Sequence, residues 1–292
     1  MKSSSSCPKQ DIPAKVLKEC KHSLSTPLKL FWNKSFIHGK IPQWYKTQII
    51  IPLHKKGPKS KSNNYRPISL TSHVVKIFER ILRKKLVNYF EENSFFKSNQ
   101  HGFRQMRSCS TQLLSHTYNI LTNAIEGTET DSLYIDFSKA FDKVDHEILL
   151  WKLSYYGVKG KYLTWIKDFL QGRTQVVSVL NNLSYSSPVK SGVPQGSVLG
   201  PLFFIIFIND LPDIINDCNV LTFADDTKIT SKISSERDVI NLQENLNKTI
   251  KWSLENNMEL NPSKFEYICH NLNTDNSHQK LLKELPFPNN NS

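Results

Sequence analysis

Apolar positions along this chain follow two spacings, one typical of helices and one typical of strands. Apolar side chains three and four positions apart predict helices with one face packed on a core. Such helices are predicted at 11–40, 72–92, 145–157, 161–171, 201–209 and 234–257. Short β-branched or alternating runs predict strands at 47–53, 133–137, 174–180, 183–189, 219–223, 227–231 and 265–269. The pattern therefore predicts a chain of mixed helices and strands without an internal repeat.

Two adjacent acids, Asp225 and Asp226, separate the runs 219–223 and 227–231. This pattern is typical of a β-hairpin with its acids at the turn. Adjacent carboxylates repel each other unless a cation lies between them, and this is how a site for a hard divalent metal arises. An isolated Asp-Asp turn is the commoner explanation, because Asp is a favoured turn residue. The metal hypothesis therefore needs a third carboxylate.

Asp136 is a candidate for that third carboxylate. It lies near the end of the apolar run 133–137, where a buried Asp is costly unless it has a partner such as a metal or a salt bridge. If this strand lay beside the predicted hairpin, Asp136 would be next to Asp225. That arrangement suits two Mg²⁺ ions ~3.5–4 Å apart, which stabilise an in-line displacement at phosphorus.

A lysine-rich loop, 55–61, separates the strand at 47–53 from a returning segment at 65–70. Such a loop could close over a triphosphate, with Lys55 as a point charge and Arg66 as a bidentate clamp. An ordinary solvated loop explains the same residues equally well.

A glycine-rich segment, 191–201, precedes a predicted apolar helix. Gly196 permits close approach of the backbone to a ligand, and Gln195 offers both a donor and an acceptor, although a tight turn is the alternative. Phe141 follows Asp136 at a bend and could floor a sugar pocket. Lys264, at the start of the last predicted strand, is a candidate general acid for a leaving pyrophosphate, or else an exposed lysine.

Charge is unevenly distributed along the 292 residues. Residues 1–130 carry 22 Lys and Arg against 7 Asp and Glu, a net +15, whereas the remainder carries 16 against 19, a net −3. A polyanion bound by the first part and processed by the second would explain this asymmetry, and a solvated basic surface is the alternative. The predicted helix at 72–92 has an apolar side that suits a core and a basic polar side that fits either explanation.

Cysteine usage and hydropathy bear on location. The five cysteines are scattered and odd in number, which argues against a disulfide framework and fits a reducing environment. There is no secretory signal pattern, and the longest apolar run, 202–208, is far shorter than the ~20 residues that span a bilayer. We therefore expect an intracellular protein of the nucleus or cytoplasm, neither secreted nor inserted in a membrane.

Seven motifs, in this order, resemble those of the reverse transcriptases of non-long-terminal-repeat (LINE-type) retrotransposons, of the jockey-like group. They are IPLHKKG at 51–57, YRPISL at 65–70, QHGFR at 100–104, YIDFSKAFDKVDH at 134–146, SGVPQGSVLGP at 191–201, FADDTKI at 223–229 and NPSKFEYI at 261–268. The resemblance covers about residues 11–270. Chance agreement of seven ordered motifs is very improbable.

The resemblance implies an α+β protein with the right-hand polymerase fold, limited to fingers and palm, in which helices back an antiparallel palm sheet. The implied division is a disordered N-terminus at 1–10, fingers and an N-terminal extension at 11–130, a palm at 131–270 with a fingers insertion around 147–190, and a low-complexity tail at 271–292. The family's endonuclease and thumb are expected to be missing from this chain.

The resemblance also assigns roles to single residues. Asp136, Asp225 and Asp226 would form an acidic triad that, with the backbone carbonyl of Phe137, binds two Mg²⁺ ions, with Mn²⁺ as a substitute. Lys264 would be the late general acid, and Phe141 the steric gate that clashes with a ribose 2′-OH. Gln195 and Gly196 would contact the incoming nucleotide and the template. Lys55 and Arg66 would lie near the triphosphate.

The implied reaction is RNA-directed DNA synthesis, in which a primer 3′-OH attacks the α-phosphate of a dNTP. The implied partners are an RNA template, a DNA primer and dNTPs, with neither a membrane nor an obligate protein partner. Two alternatives stay open at this point. One is a catalytically incompetent remnant that only binds RNA or DNA, which a missing thumb favours. The other is an RNA-directed RNA polymerase, against which Phe141 argues.

Overall fold

The computed structural model describes residue 8, residues 11–180 and residues 182–270. The predicted tail at 271–292, the region where a thumb would begin, and most of the predicted disordered N-terminus at 1–10 lie outside the described residues. Among the described residues, no helix is both long enough and apolar enough to cross a bilayer.

Helices form largely where the apolar spacing predicts them. The described residues form α1 (Ala14–Glu19), α2 (Lys21–His38), α3 (His73–Glu92), α4 (Cys109–Ile125), α5 (Ala140–Lys143), α6 (His146–Tyr155), α7 (Gly160–Leu170), α8 (Gly200–Phe207) and α9 (Glu236–Glu255). Side chains cap several of them: the Asp145 carboxylate accepts the backbone N–H groups of Glu147 and Ile148, and Ser235 forms a capping box with Asp238.

Strands also follow the predicted runs. They are β1 (Thr47–His54), β2 (Tyr65–Leu70), β3 (Glu129–Ile135), β4 (Thr174–Val179), β5 (Asn182–Leu183), β6 (Ser187–Pro188), β7 (Asn219–Phe223), β8 (Asp226–Ile233) and β9 (Glu266–His270).

Two predicted elements differ from the structure. The helix predicted over 11–40 is two helices, because the chain leaves helical geometry at Cys20. The strand predicted at 183–189 is two short pieces, β5 and β6, which pair with different parts of β4. Both pieces are exposed, so no apolar face holds the run in one continuous strand.

The described chain divides into two compact units. The first unit comprises Met1–Phe95 and Val144–Ile206. Its sheet has the order β2-β1-β4-β5, with β1 antiparallel to β2 and parallel to β4, and with β6 pairing to β4. The same unit has an aromatic core between helices, in which the Phe78 ring stacks on Trp32 at 4.9 Å and lies 5.0 Å from Trp165.

The described residues of the second unit lie within Phe96–Lys143 and Phe207–Ser292. Its sheet has the order β7-β8-β3-β9, and every neighbouring pair is antiparallel. Helix α4 packs against β3 and β7, and α9 packs against β8. The buried side chains Val239, Leu242 and Leu246 of α9 supply the apolar stripe that its spacing predicts.

Candidate active site

The acids at 225 and 226 lie where β7 turns into β8. Phe223 pairs with Asp226 across the hairpin, so Ala224 and Asp225 form a two-residue turn and Asp226 opens β8. Ala224 is buried and has a φ of 55°. An alanine is unusual in this left-handed conformation, which costs an L-residue roughly 1–2 kcal/mol. The predicted hairpin is therefore present, with one of its two acids in the turn and the other in the strand.

Strand β3 lies directly beside this hairpin. In the β3–β8 ladder, Ile135 pairs with Thr227, so the next position of the register puts Asp136 opposite Asp226. Paired residues of neighbouring antiparallel strands lie ~4.5–5.5 Å apart between Cα atoms. The strand ends at Ile135, one residue before Asp136, and Phe137 then forms an isolated bridge with Leu260.

Two side chains from the α9–β9 connection bind the Asp136 carboxylate. The Lys264 Nζ lies 2.9 Å from Asp136 Oδ2, and the Asn261 Nδ2 donates to the same oxygen at 3.1 Å. The Asn261 backbone N–H donates to the Asp136 carbonyl at 2.9 Å. Asp136 thus has its partner in the protein, and the salt bridge that the sequence left open is present.

Asn261 is a residue that the sequence analysis did not single out. The only signal for it is its place at the start of the NPSK motif that also contains Lys264. Ser138 N–H donates to the Glu259 carbonyl at 2.7 Å. This bond and those of Asn261 hold the α9–β9 connection against the segment that follows β3.

The three carboxylates share one electrostatic environment. Partial burial raises the pKa of the Asp225 carboxyl, and the carboxylates of Asp226 and Asp136 raise it further. Desolvation and Asp136 also raise the pKa of Asp226, although Asp226 is exposed as a whole residue. The Lys264 ammonium opposes both shifts. A cation added here would be stabilised by all three acids.

The donor chemistry of this cluster fits Mg²⁺, which prefers carboxylate and carbonyl oxygens. Within the described ranges, no group of three or more His, Cys, Asp or Glu side chains is already arranged around a common ion position. The fit therefore rests on the type and charge of the donors, not on a preformed cage. An ion at Asp136 would compete with the Lys264 ammonium for the same oxygen.

The two phenylalanines that follow Asp136 differ in their surroundings. The Phe137 side chain is buried, and its ring lies 6.0 Å from Trp252. A phenyl ring has no oxygen to offer a metal ion, so the backbone carbonyl is the group of Phe137 that could act as a ligand. Phe141 lies in α5 and is half-buried. The Phe103 ring meets it edge-on at 6.1 Å, which supports the position of the predicted gate ring from one side.

The remaining predicted site residues, Lys55, Arg66, Gln195 and Gly196, belong to the first unit. Lys55 follows β1, and Arg66 pairs with Leu53 in β2; both are exposed. Ser69 N–H donates to the Gln195 carbonyl at 2.8 Å, and the Thr71 hydroxyl donates to the Gly196 carbonyl at 3.2 Å. The glycine-rich segment is therefore fixed to the end of β2.

Gly196 is required by the protein's own backbone. Its φ is +128°, and a Cβ at this position would lie 2.4 Å from the Ser69 carbonyl oxygen. From the sequence, this glycine is predicted to admit a ligand close to the backbone or to form a tight turn. The close approach that the structure shows is to Ser69.

Glu79 of α3 is a second residue that the sequence analysis missed. It is fully buried, and its Oε2 accepts the backbone N–H groups of Val198 and Leu199 at 2.7 and 3.0 Å. It therefore binds the backbone just before α8, where unpaired N–H groups need an acceptor. A glutamate on the buried side of an amphipathic helix is its only sequence signal.

Burial raises the pKa of Glu79 above 4.5, so its ionisation disfavours the folded state. A carboxyl group whose pKa is higher in the folded than in the unfolded state stabilises the folded protein at a pH below its unfolded-state pKa. This stabilisation is lost as the pH rises through the folded-state pKa. We therefore expect the free energy of unfolding of the wild type, relative to Glu79→Gln, to fall as the pH rises above 4.5. Urea unfolding across pH would measure this. Glu92→Gln, at an exposed position of the same helix, is the matched control. Equal pH dependence of the two stability differences would contradict the prediction.

Comparison with known proteins decides the family. The family described as reverse transcriptase (RNA-dependent DNA polymerase) matches residues 53–283, which include the acids, the glycine-rich segment and Lys264. The chain belongs to the reverse transcriptase family. This confirms the resemblance drawn from the seven motifs.

Relatives of this reverse transcriptase domain come from mobile elements. It is 31% identical over 253 residues to the probable RNA-directed DNA polymerase from transposon X-element of Drosophila melanogaster, covering 85% of the chain and 28% of the relative. It is 33% identical over 247 residues to the RNA-directed DNA polymerase from mobile element jockey of the same species, covering 81% and 27%. The chain thus spans little more than a quarter of the length of these relatives.

A solved structure supports the fold of the domain. Apo telomerase from Candida tropicalis, truncated from its C-terminal domain, superposes with a TM-score of 0.59 at 12% sequence identity, covering 87% of this chain and 57% of that chain. Together with the family match, this likeness confirms the predicted α+β polymerase fold.

Proposed function

We propose that this chain is an RNA-directed DNA polymerase domain that transfers nucleotides from dNTPs to a primer 3′-OH on an RNA template. The observation that carries the proposal is the β3–β8 register, which puts Asp136 opposite Asp226 and beside the turn that presents Asp225. Family membership and the names of the relatives support the reaction.

Asp136, Asp225, Asp226 and the Phe137 carbonyl are the groups that would hold Mg²⁺ or Mn²⁺. When bound, the ions supply charge stabilisation at the attacking and leaving oxygens. Asp225 and Asp226 contribute negative charge that is only partly balanced by Lys264. These residues therefore form a strongly anionic site to which hard cations are attracted.

Lys264 is proposed as the proton donor to the leaving pyrophosphate. Its ammonium is held at the acids by Asp136, and its side chain remains largely exposed, with 61% of its surface accessible. An exposed ammonium that is tethered to a metal-ligand carboxylate is ready to move to a phosphate oxygen. Proton transfer by such a positioned group typically contributes ~10²–10⁴-fold to a rate.

Four further residues have proposed contacts. Lys55 and Arg66 are proposed to bind the triphosphate, and Gln195 with Gly196 to contact the nucleotide and the template. The division into fingers at 11–130 and palm at 131–270 remains a prediction; the compact units group 96–130 with the acids and 144–206 with the first unit. Action in the nucleus or the cytoplasm also remains a prediction.

Primer extension tests the proposed reaction. The purified chain is incubated with dNTPs, Mg²⁺ and a DNA primer annealed to an RNA template, and the products are resolved by length. Extension that depends on the RNA sequence supports the proposal. Tight binding of the same primer–template without any extension, in Mg²⁺ or Mn²⁺, would instead support the remnant that only binds nucleic acid.

Phe141→Ala tests the choice of sugar. Removing the ring would open space beside the nucleotide 2′ position, and we expect the efficiency of ribonucleotide use relative to dNTP use to rise ~10–100-fold. Single-nucleotide kcat/KM values for matched rNTP and dNTP pairs measure this ratio. Tyr185→Ala, which removes a fully exposed ring, should leave the ratio unchanged. An unchanged ratio in Phe141→Ala would remove Phe141 from the gate role.

A further inference from the structure

A short segment before α4 runs along the edge of the hairpin that presents the acids. Thr222 N–H donates to the Asn99 carbonyl at 3.0 Å, and His101 N–H donates to the Thr222 carbonyl at 2.8 Å. These bonds form an isolated parallel bridge between Gln100 and Thr222. The QHG part of the QHGFR motif is therefore attached to β7 two residues before the Ala224–Asp225 turn.

The Gln100 side chain extends from this bridge to the turn itself. It is 4% exposed, and its Oε1 accepts two backbone N–H groups, from Gly102 at 2.7 Å and from Ala224 at 3.1 Å. Both partners can only donate, so the orientation of the amide follows from the contacts. One buried oxygen thus joins the segment to the residue immediately before Asp225.

Gly102 lets the segment come this close. A Cβ on Gly102 would lie 2.3 Å from the Ala224 nitrogen and 3.1 Å from the Ala224 Cα. Any side chain here would therefore push the turn away. The Gln100 amide and the Gly102 backbone therefore pack directly against Ala224, which has an unfavourable φ of 55°.

We propose that Gln100 is a positioning residue for Asp225, acting through the Ala224 N–H, and that Gly102 permits this contact by its lack of a side chain. The inference rests on the proposed function, since it assumes that Asp225 serves the transfer reaction. A two-residue turn has few other means of fixing its backbone, and an unsatisfied buried N–H at Ala224 would favour a rearranged turn. Displacement of a reacting group by about 1 Å can lower a rate by ~10²-fold.

Gln100→Met tests the contact, because methionine has a similar shape and no acceptor oxygen of comparable strength. We expect kcat for primer extension to fall ~10–100-fold, with KM for dNTP changed less than about twofold. Mn²⁺ binding, followed by the electron paramagnetic resonance signal of free Mn²⁺, should weaken in parallel. Gln100→Glu keeps an acceptor oxygen in the place of Oε1 and should restore most of the kcat that Gln100→Met loses.

Gln112→Met is the matched control. Gln112 is also buried, at 6% exposure, and lies in α4 of the same unit. Its side-chain Nε2 has no hydrogen-bond partner among the described residues, so Gln112→Met should keep both kcat and Mn²⁺ binding. Equal losses in Gln100→Met and Gln112→Met, or failure of Gln100→Glu to restore kcat, would overturn the positioning role.

The proposed function is checked separately by Asp225→Asn in the same Mn²⁺ assay. If Asp225→Asn weakens Mn²⁺ binding while Gln100→Met behaves as the Gln112 control, the positioning role alone is refuted. If Asp225→Asn leaves Mn²⁺ binding unchanged, the metal assignment itself is refuted, and with it the basis for the role of Gln100.

Discussion

Asp225→Asn is expected to abolish RNA-templated primer extension, lowering kcat by ~10³-fold or more, which corresponds to about 4 kcal/mol of lost transition-state stabilisation. Asparagine keeps the shape of the side chain and removes its charge. The charge matters because Asp225 shares its environment with Asp226 and Asp136, and these acids together are what would attract a divalent cation. Rapid-quench measurement of single-nucleotide addition at saturating Mg²⁺ would give kcat directly.

Loss of activity must be separated from loss of folding, and the structure offers two checks. In metal-free buffer, Asp225→Asn should be at least as stable to urea as the wild type, because the variant removes repulsion from Asp226 and Asp136. Asp217→Asn changes an exposed acid of the same unit, at a φ of 55° that asparagine tolerates, and should retain full activity. Wild-type kcat in Asp225→Asn would refute the assignment of this acid.

Local features of the fold could be predicted because they depend on neighbouring residues. Asp145 predicts the start of α6 because Asp is a favoured helix N-cap. The alternating apolar residues on either side of the acids predict the β7–β8 hairpin. The run at 183–189 also alternates, yet it breaks into two exposed pieces because nothing packs on it. Periodicity thus predicts an element well only where tertiary packing supports it.

The pairing of distant elements could not be obtained from periodicity. Asp136 lies beside the hairpin because β3 pairs with β8, whose residues are about ninety positions away in the sequence. Periodicity does not predict this pairing, and only the family resemblance supports it. Asn261, Gln100 and Glu79 were missed for the same reason. The side chain of each binds a group more than a hundred positions away: the Asp136 carboxylate for Asn261, and backbone N–H groups for Gln100 and Glu79. In the sequence, each therefore looks like an ordinary polar residue.

Gly196 has a packing role that the sequence alone does not reveal. The sequence suggests a glycine that admits a ligand or forms a tight turn, whereas the structure has it pressed against the Ser69 carbonyl at the end of β2. The loop is also held by Thr71 and by Glu79. Contacts with Ser69, Thr71 and Glu79 therefore hold the loop, and with it Gln195, in one position. The contact with Ser69 requires a glycine at position 196.

Gly196→Ala is therefore expected to destabilise the protein by ~2–4 kcal/mol, because the Cβ adds overlap with Ser69 to an unfavourable backbone conformation. Urea unfolding measures this loss. Gly160→Ala is the matched control in the same unit: its φ is +58°, but a Cβ there meets nothing within 4 Å, so the cost should be limited to ~1 kcal/mol of backbone strain. Equal losses in the two variants would mean that strain alone explains Gly196. A near-neutral Gly196→Ala that specifically weakens dNTP binding would contradict this packing role and would support the proposed nucleotide contact alone.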